Sequence, residues 1–434
     1  MARIPPIPIR FVLVFWLFLL SAVAFLDRTN ISIAGISLSA EYHLGDARLG
    51  WVFSAFLLGY AAFQVPGGWL AGRFGPRLLL TLGVLWWGVF TVLTTVVPSH
   101  VSGALALLIA VRFALGAGEA VIYPASNQFI ARWIPVHERG RANGWIFAGV
   151  GTGAGLTPPL LTSIIAHYGW RASFWFSAVV GFAVGAAWFL LARDAPEQHP
   201  RISPREVALI HKGLGEPVRP VATATVETSK ENTPALWTNL IRSRNVWALT
   251  FSYFTFGYVA WIFFSWFYIY LAKARHLDLK TSAAYTMLPF IAMTICCLLG
   301  GFLNDWGARR YGLRVGRCML GSVSLVLTAF FLAFGSAQQN ARSASIVLAA
   351  SVGALYLSQS SYWSVTADVA GTHSGLVSGM MNMGCQIGGA VTASLTPVIA
   401  ARFGWNASFL VAAALSTLGA LAWLVVDPTR RLGH

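Results

Sequence analysis

Two acids and two bases sit inside stretches that are otherwise apolar. Asp27 and Arg28 close the first hydrophobic run of the chain, and Arg112 and Glu119 lie within the fourth. A charge at the middle of a bilayer costs about 2.5–3.5 kcal/mol on insertion scales, so such residues persist where they pair or line a polar path. Arg112 and Glu119 are seven positions apart, which returns them to within about 20° of one helix face, about 10 Å apart along the axis. The spacing predicts an ion pair between them or a cavity flanked by both. Asp27 and Arg28 are neighbours and point about 100° apart. The planar fork of Arg28 suits a carboxylate, and Asp27 is expected to face another helix of the same half and titrate there. The chemistry this pattern supports is capture of an anionic solute by a guanidinium, coupled to proton uptake by a carboxyl group. A solute anion arriving at Arg112 would compete with Glu119 for that cation.

The second half of the chain offers neutral polarity instead: Ser358, Gln359, Ser361, Asn382 and Gln386, the last one turn beyond Asn382 on the same face. No buried cation is expected in this half. Such donors and acceptors suit hydroxyl groups rather than a second carboxylate, which points to a monocarboxylate bearing hydroxyls, a hexonate or hexuronate. No nucleophile elbow or phosphate loop is present, and Cys296, Cys297, Cys318 and Cys385 lack metal-ligand spacing with histidine. The sequence therefore predicts no enzyme, no cofactor and no metal.

The elements that must position these residues are membrane helices. The chain has 434 residues, of which 56% are hydrophobic and only 10% charged, against about 25% charged in a soluble domain. About twelve apolar runs are long enough to span a bilayer, from Phe11–Ile33 to Ala407–Val426, with Val101–Ile130 and Ala344–Ala367 among them. The net charge of +15 reads as the positive-inside bias rather than a nucleic-acid surface. With the N-terminus inside, one side collects Arg73, Arg77, Arg139, Arg141, Arg309, Arg310, Arg314, Arg317, Arg430 and Arg431. Both termini are thus expected to be cytoplasmic, in the inner membrane. Reading the first run as a cleaved signal peptide would leave an odd number of spans and turn the basic loops outward.

The chain also repeats itself. His167-Tyr-Gly-Trp-Arg-Ala-Ser-Phe174 returns 235 positions later as Arg402-Phe-Gly-Trp-Asn-Ala-Ser-Phe409, and Gly144, Gly149 and Gly153 return at the same offset as Gly379, Gly384 and Gly388. This predicts two parallel six-helix bundles, residues 1–193 and 245–434, joined by a polar connection over 194–244. Small residues let helices approach and slide, so the two glycine-rich helices are expected to face each other between the halves.

Gly68-Trp-Leu-Ala-Gly-Arg-Phe-Gly-Pro-Arg77, with its echo Gly301-Phe-Leu-Asn-Asp-Trp-Gly-Ala-Arg-Arg310, resembles the loop signature of the major facilitator superfamily. The family acid before the first arginine is replaced by Gly72, whereas Asp305 is present in the echo. Asp27-Arg-Thr-Asn-Ile-Ser-Ile-Ala34 and Arg112-Phe-Ala-Leu-Gly-Ala-Gly-Glu119, followed by Tyr123-Pro124, resemble the first- and fourth-span motifs of its anion:cation symporter family. The run Phe263–Leu271 resembles the seventh span, with Tyr268 where a proline is common. The resemblance implies a twelve-helix transporter of organic anions, often driven by protons, with no nucleic-acid partner and functional as a monomer. It implies that Arg28 meets the substrate carboxylate beside Tyr60, that Asp27 and Glu119 carry the protons, that Arg112 partners Glu119, and that Asn382 reaches substrate hydroxyls. The extra seventh-span cation of glutamate carriers is missing. A drug:proton antiporter, or a uniporter or exchanger on the same scaffold, is the alternative. Gly155-Leu-Thr-Pro158-Pro159 is only loosely like the antiporter motif.

Overall fold

Backbone that crosses lipid must satisfy its hydrogen bonds within its own segment, and the apolar runs fold accordingly as helices. A computed structural model describes residues 8–44, 46–214, 233–267, 270–277 and 279–431; Tyr268 and part of the central connection lie outside them. The first half comprises α1 (Ile9–Glu41), α2 (Asp46–Phe74), α3 (Pro76–Val96), α4 (Ala104–Glu119), α5 (Ile122–Trp133), α6 (Arg139–Tyr168) and α7 (Trp170–Leu191). Two short helices follow, α8 (Pro204–Leu214) and α9 (Thr233–Arg242). The second half comprises α10 (Arg244–Ser265) with a π turn at Tyr270–Ala274, then α11 (Leu279–Tyr311), α12 (Leu313–Ser336), α13 (Ala341–Leu357), α14 (Gln359–Ala370), α15 (Ser374–Phe403) and α16 (Trp405–Ala422).

With α4–α5 and α13–α14 each counted as one broken span, the helices make twelve spans in two six-helix bundles. Among the described residues, nine of these spans are long and apolar enough to cross a membrane by length and composition. The other three, α2, α6 and α15, all take part in the contact between the bundles, α2 against α15 and α6 against α11. The run expected over Val101–Ile130 is two helices because it breaks at Ala120–Val121, and Pro124 falls in the first turn of α5, where a missing N–H leaves no bond unmade. The run over Ala344–Ala367 breaks at Ser358.

The repeat has a backbone cause. Gly169 and Gly404 have φ of 81° and 82° and start α7 and α16; Gly75 and Gly312, at 84° and 83°, start α3 and α12. A side chain is strained at such φ values, so the sharp turn between successive antiparallel spans selects glycine at the same place in each half.

The two glycine-rich helices do not face each other. Instead, α6 packs along α11, and α15 along α2. The pseudo-twofold exchanges α6 with α15 and α11 with α2, so each glycine helix meets the counterpart of the other's partner. A Cβ on Gly144 would lie 2.6 Å from the Cys297 carbonyl oxygen, and one on Gly379 would lie 2.4 Å from that of Gln64. Gly149 and Gly384 serve contacts within a bundle, against Phe18 of α1 and Thr250 of α10.

Polar contacts join the bundles at the face that bears both described chain ends, hereafter the terminal face. Asp305 on α11 accepts hydrogen bonds from the backbone N–H of Gly140 (2.7 Å) and Arg141 (2.8 Å), capping α6 across the interface. The symmetric position holds Gly72, which has no carboxylate, and Gln128 on α5 takes over that duty. Its Oε1 accepts from the Gly375 N–H at 2.9 Å and the Ser374 hydroxyl at 3.0 Å, at the start of α15. Asp368 pairs with Arg139 of the first half (2.5 Å) and Arg317 of the second (3.0 Å). Arg317 is fully buried, so the second half does hold a buried cation, contrary to expectation, although at this face. At the opposite face Glu41, at the end of α1, accepts from the Trp170 indole (2.9 Å) and from Arg171; the Arg171 bond holds its carboxyl below the usual range.

Candidate substrate and coupling site

The charged residues of α1 and α4 converge inside the first bundle. Asp27 and Arg112 are 1% and 2% exposed, and Glu119 is fully enclosed. Asp27 turns away from its neighbour, as their angular separation requires, and its Oδ2 accepts a hydrogen bond from the Thr91 hydroxyl of α3 at 2.9 Å. Arg28 points the other way and donates from Nε to Glu119 Oε1 at 2.5 Å. This pairing differs from the expected one, in which Arg112 holds Glu119. Two side chains seven apart on one helix must bridge about 10 Å, whereas α1 delivers Arg28 directly beside the end of α4. Arg112 keeps its Nε and Nη1 without a hydrogen-bond partner.

Aromatic rings take the place of further counter-charges. The Arg28 guanidinium carbon lies 4.3 Å from the Tyr60 ring centre, 4.7 Å from that of Phe25 and 5.5 Å from that of Phe56. Arg112 lies 5.1 Å from the same Phe56 ring. Ring faces attract cations and leave their N–H groups unspent. Phe56 therefore spaces the two guanidinium groups while stabilising both. Sequence reading missed Phe56 and Phe25, although Phe56 lies one helical turn before Tyr60.

Several buried polar atoms at this level have no partner: Arg28 Nη2, Arg112 Nε and Nη1, Glu119 Oε2, Asp27 Oδ1, Tyr60 Oη and Tyr123 Oη. Buried polar groups are ordinarily satisfied, and each exception calls for a cause. Five of these atoms are donors, on Arg28, Arg112, Tyr60 and Tyr123, and two are carboxylate oxygens that only accept, so unspent donors and unspent acceptors lie side by side around two cations.

The second bundle contributes unevenly. The Asn382 amide on α15 donates to Gln64 Oε1 on α2 at 3.1 Å, joining the halves one turn from Tyr60. Gln386 leaves its Oε1 unpartnered. Gln359 donates to Tyr253 Oη at 2.8 Å and keeps a free Oε1. Ser358 and Ser361 do not join the charged cluster. The first hydroxyl is bonded to the Leu355 carbonyl at 2.6 Å, the second to Asn304 at 3.0 Å. Asn304 and Asn143, one from each half, both donate to Ser364 at 3.3 and 3.4 Å, so this serine group belongs to the contact between bundles. Among the described residues no group of histidine, cysteine or acidic side chains has a metal-binding arrangement.

Twelve helices in two related bundles around a buried charged centre are the anatomy of a secondary transporter. The sequence matches the Major Facilitator Superfamily over residues 17–393, and the chain belongs to that superfamily as a multi-pass membrane protein. It is 35% identical over 412 residues to a protein of Cupriavidus necator described as a probable sulfoacetate transporter, covering 94% of this chain and 91% of the relative. It is 30% identical to a chloroplastic ascorbate transporter of Arabidopsis thaliana, over 96% and 74% of the two chains. It is 26% identical to the hexuronate transporter of Bacillus subtilis, over 94% and 92%. The proton:xylose symporter XylE superposes with a TM-score of 0.74 over 98% of this chain and 97% of its own, at 16% identity, a likeness of fold.

Proposed function

We propose that this protein imports a small organic anion, a hexonate or hexuronate, together with protons. The observation that carries the reading is the Arg28–Glu119 pair with the unspent Arg112 beside it. With both carboxyl groups ionised, Asp27, Arg28, Arg112 and Glu119 sum to zero charge. A bound monoanion would leave the buried site one charge negative, at high cost in low dielectric, and one proton taken up by a carboxyl restores neutrality. The anion competes with Glu119 for Arg28, so the carboxylate it displaces is the natural acceptor. Coupling through Arg28 replaces the route through Arg112 suggested by spacing alone.

Tyr60 and Arg112 complete the anion's surroundings, and Asn382 and Gln386 face its hydroxyls. The relatives' names support this class, since sulfoacetate, ascorbate and hexuronates all place an anionic group on a small polar body. Residues 1–193 and 245–434 act as the two moving bodies, joined by 194–244. The terminal face, rich in arginine, is cytoplasmic by the positive-inside rule, and the protein works in the inner membrane as a monomer. The test is uptake into proteoliposomes of a radiolabelled hexonate, hexuronate and sulfoacetate under an inward proton gradient. A sugar acid is expected to accumulate and to be released by a protonophore. Accumulation indifferent to the protonophore would contradict symport, and preference for sulfoacetate would reassign the substrate.

A further inference from the structure

The terminal face carries a cavity of about 680 Å³ where α9 and the start of α10 meet the start of α12 and the segment after α16. Arg242, Arg244, Arg314, Arg430 and Arg431 line it against a single acid, Asp427. Asp427 ties the segment after α16 to the start of α10. Its N–H donates to Asn245 Oδ1 and its carbonyl accepts from Asn245 Nδ2, both at 2.9 Å. The Thr429 hydroxyl, at 2.6 Å, heads the contacts that keep its carboxyl below the usual range. That one charge is shared between Arg314 at 3.8 Å and Arg430 at 3.5 Å. Arg242, Arg244 and Arg431 have no acidic partner among the described residues. The N-terminal end of α10, capped by Ser243, opens into the same cavity and adds partial positive charge.

Five guanidinium groups around one hollow repel one another, and the single Asp427 carboxylate offsets only one of the five charges. Forked donors around a helix N-terminus suit phosphate oxygens. The setting favours a phosphate carried by lipid. Val425 in the cavity wall, Trp247 one turn into α10 and Val315 on α12 are exposed apolar side chains, placed where acyl chains would run below a headgroup. Basic pockets between membrane helices hold anionic headgroups by this combination. We propose that this cavity binds a phosphate group, that of an anionic phospholipid headgroup seated against the second bundle, with soluble phosphate as the other source of the same chemistry.

The test is thermal unfolding of the full-length protein in neutral detergent, titrated separately with phosphatidylglycerol, phosphatidylcholine and inorganic phosphate. The wild type and the double variant Arg242→Gln/Arg244→Gln are compared. Both arginines are exposed, so the variant is expected to melt normally in detergent alone. Phosphatidylglycerol is expected to raise the wild-type midpoint while phosphatidylcholine does not, and the variant is expected to need about tenfold more of it. An equal response to inorganic phosphate, lost in the variant, keeps the phosphate site and names its source as soluble. Equal shifts with phosphatidylcholine, or a phosphatidylglycerol response unchanged in the variant, would overturn the proposal.

Discussion

Arg28 faces three rings and one carboxylate, and its value at that place lies in the geometry of its fork. Lysine would keep the charge but present a point cation, losing the paired bonds to a carboxylate and the flat contact with Tyr60. Arg28→Lys is therefore expected to weaken substrate binding, measured calorimetrically in detergent, by at least about tenfold, or roughly 1.4 kcal/mol. Near-normal affinity would mean that the anion is held elsewhere, with Arg112 the first candidate. At this scale the sequence was partly legible. Four charges in apolar runs marked the site, and the angular offset of Asp27 from Arg28 anticipated a partner on another helix, found in Thr91. The pairing of Glu119 was not legible. Spacing along α4 reports only which residues share a face, while the approach of α1 is decided by packing, including the contacts of Gly149 and Gly153 with Phe18 and Ala22. Likewise Gly72 marked a missing acid, but nothing in the sequence marked Gln128 as its replacement.

Among the helices, the contact of α2 with α15 and that of α6 with α11 decide whether the terminal face is shut. Backbones touch there because glycine leaves room. A Cβ on Gly68 would lie 2.0 Å from the Gly375 carbonyl oxygen, closer than any contact tolerates without movement. Gly68→Val is expected to part the bundles at this face. Spin labels at the exposed positions Phe74 and Tyr311, one in each half, should move apart in the variant; an unchanged distance distribution would place the closing contact elsewhere. The glycine periodicity showed that α6 and α15 need close partners. It did not reveal which ones, because a symmetric pair of contacts with α11 and α2 satisfies the pattern as well as a direct one.

On the scale of the molecule, transport requires two arrangements of the bundles close in free energy. The arrangement described here is closed at the terminal face by the buried group Arg139–Asp368–Arg317 and by Asp305 over the start of α6. Removing one member of a buried ion pair costs about 3–5 kcal/mol because the partner is left uncompensated. Asp368→Asn is expected to shift the population strongly toward an opened terminal face. A cysteine placed at Thr366, fully buried between the halves beside Asn127, should react with a thiol reagent far faster in that variant than in the parent. Equal rates would show that the ion group does not control opening. The internal repeat made the twelve-span plan readable, since matching glycines recur where the chain must turn. The buried Arg317 was not readable, because a residue next to a basic loop looks like any other charge at a membrane edge until its partner Asp368 is seen.

These scales meet in one claim: that the anion takes Arg28 from Glu119, and Glu119 then takes a proton. The most direct measurement is proton uptake on substrate binding, followed with a pH-sensitive dye in weakly buffered detergent solution, for the wild type and for Glu119→Gln. The amide keeps the shape of a protonated carboxyl and exchanges no proton. By linkage, a ligand that favours the protonated form draws protons from solution as it binds. The wild type is expected to take up about one proton per substrate bound at neutral pH, and Glu119→Gln to bind substrate with no uptake. Binding by the wild type without proton uptake, or undiminished uptake in Glu119→Gln, would contradict the mechanism; undiminished uptake that disappears in Asp27→Asn would move the coupling carboxyl to Asp27.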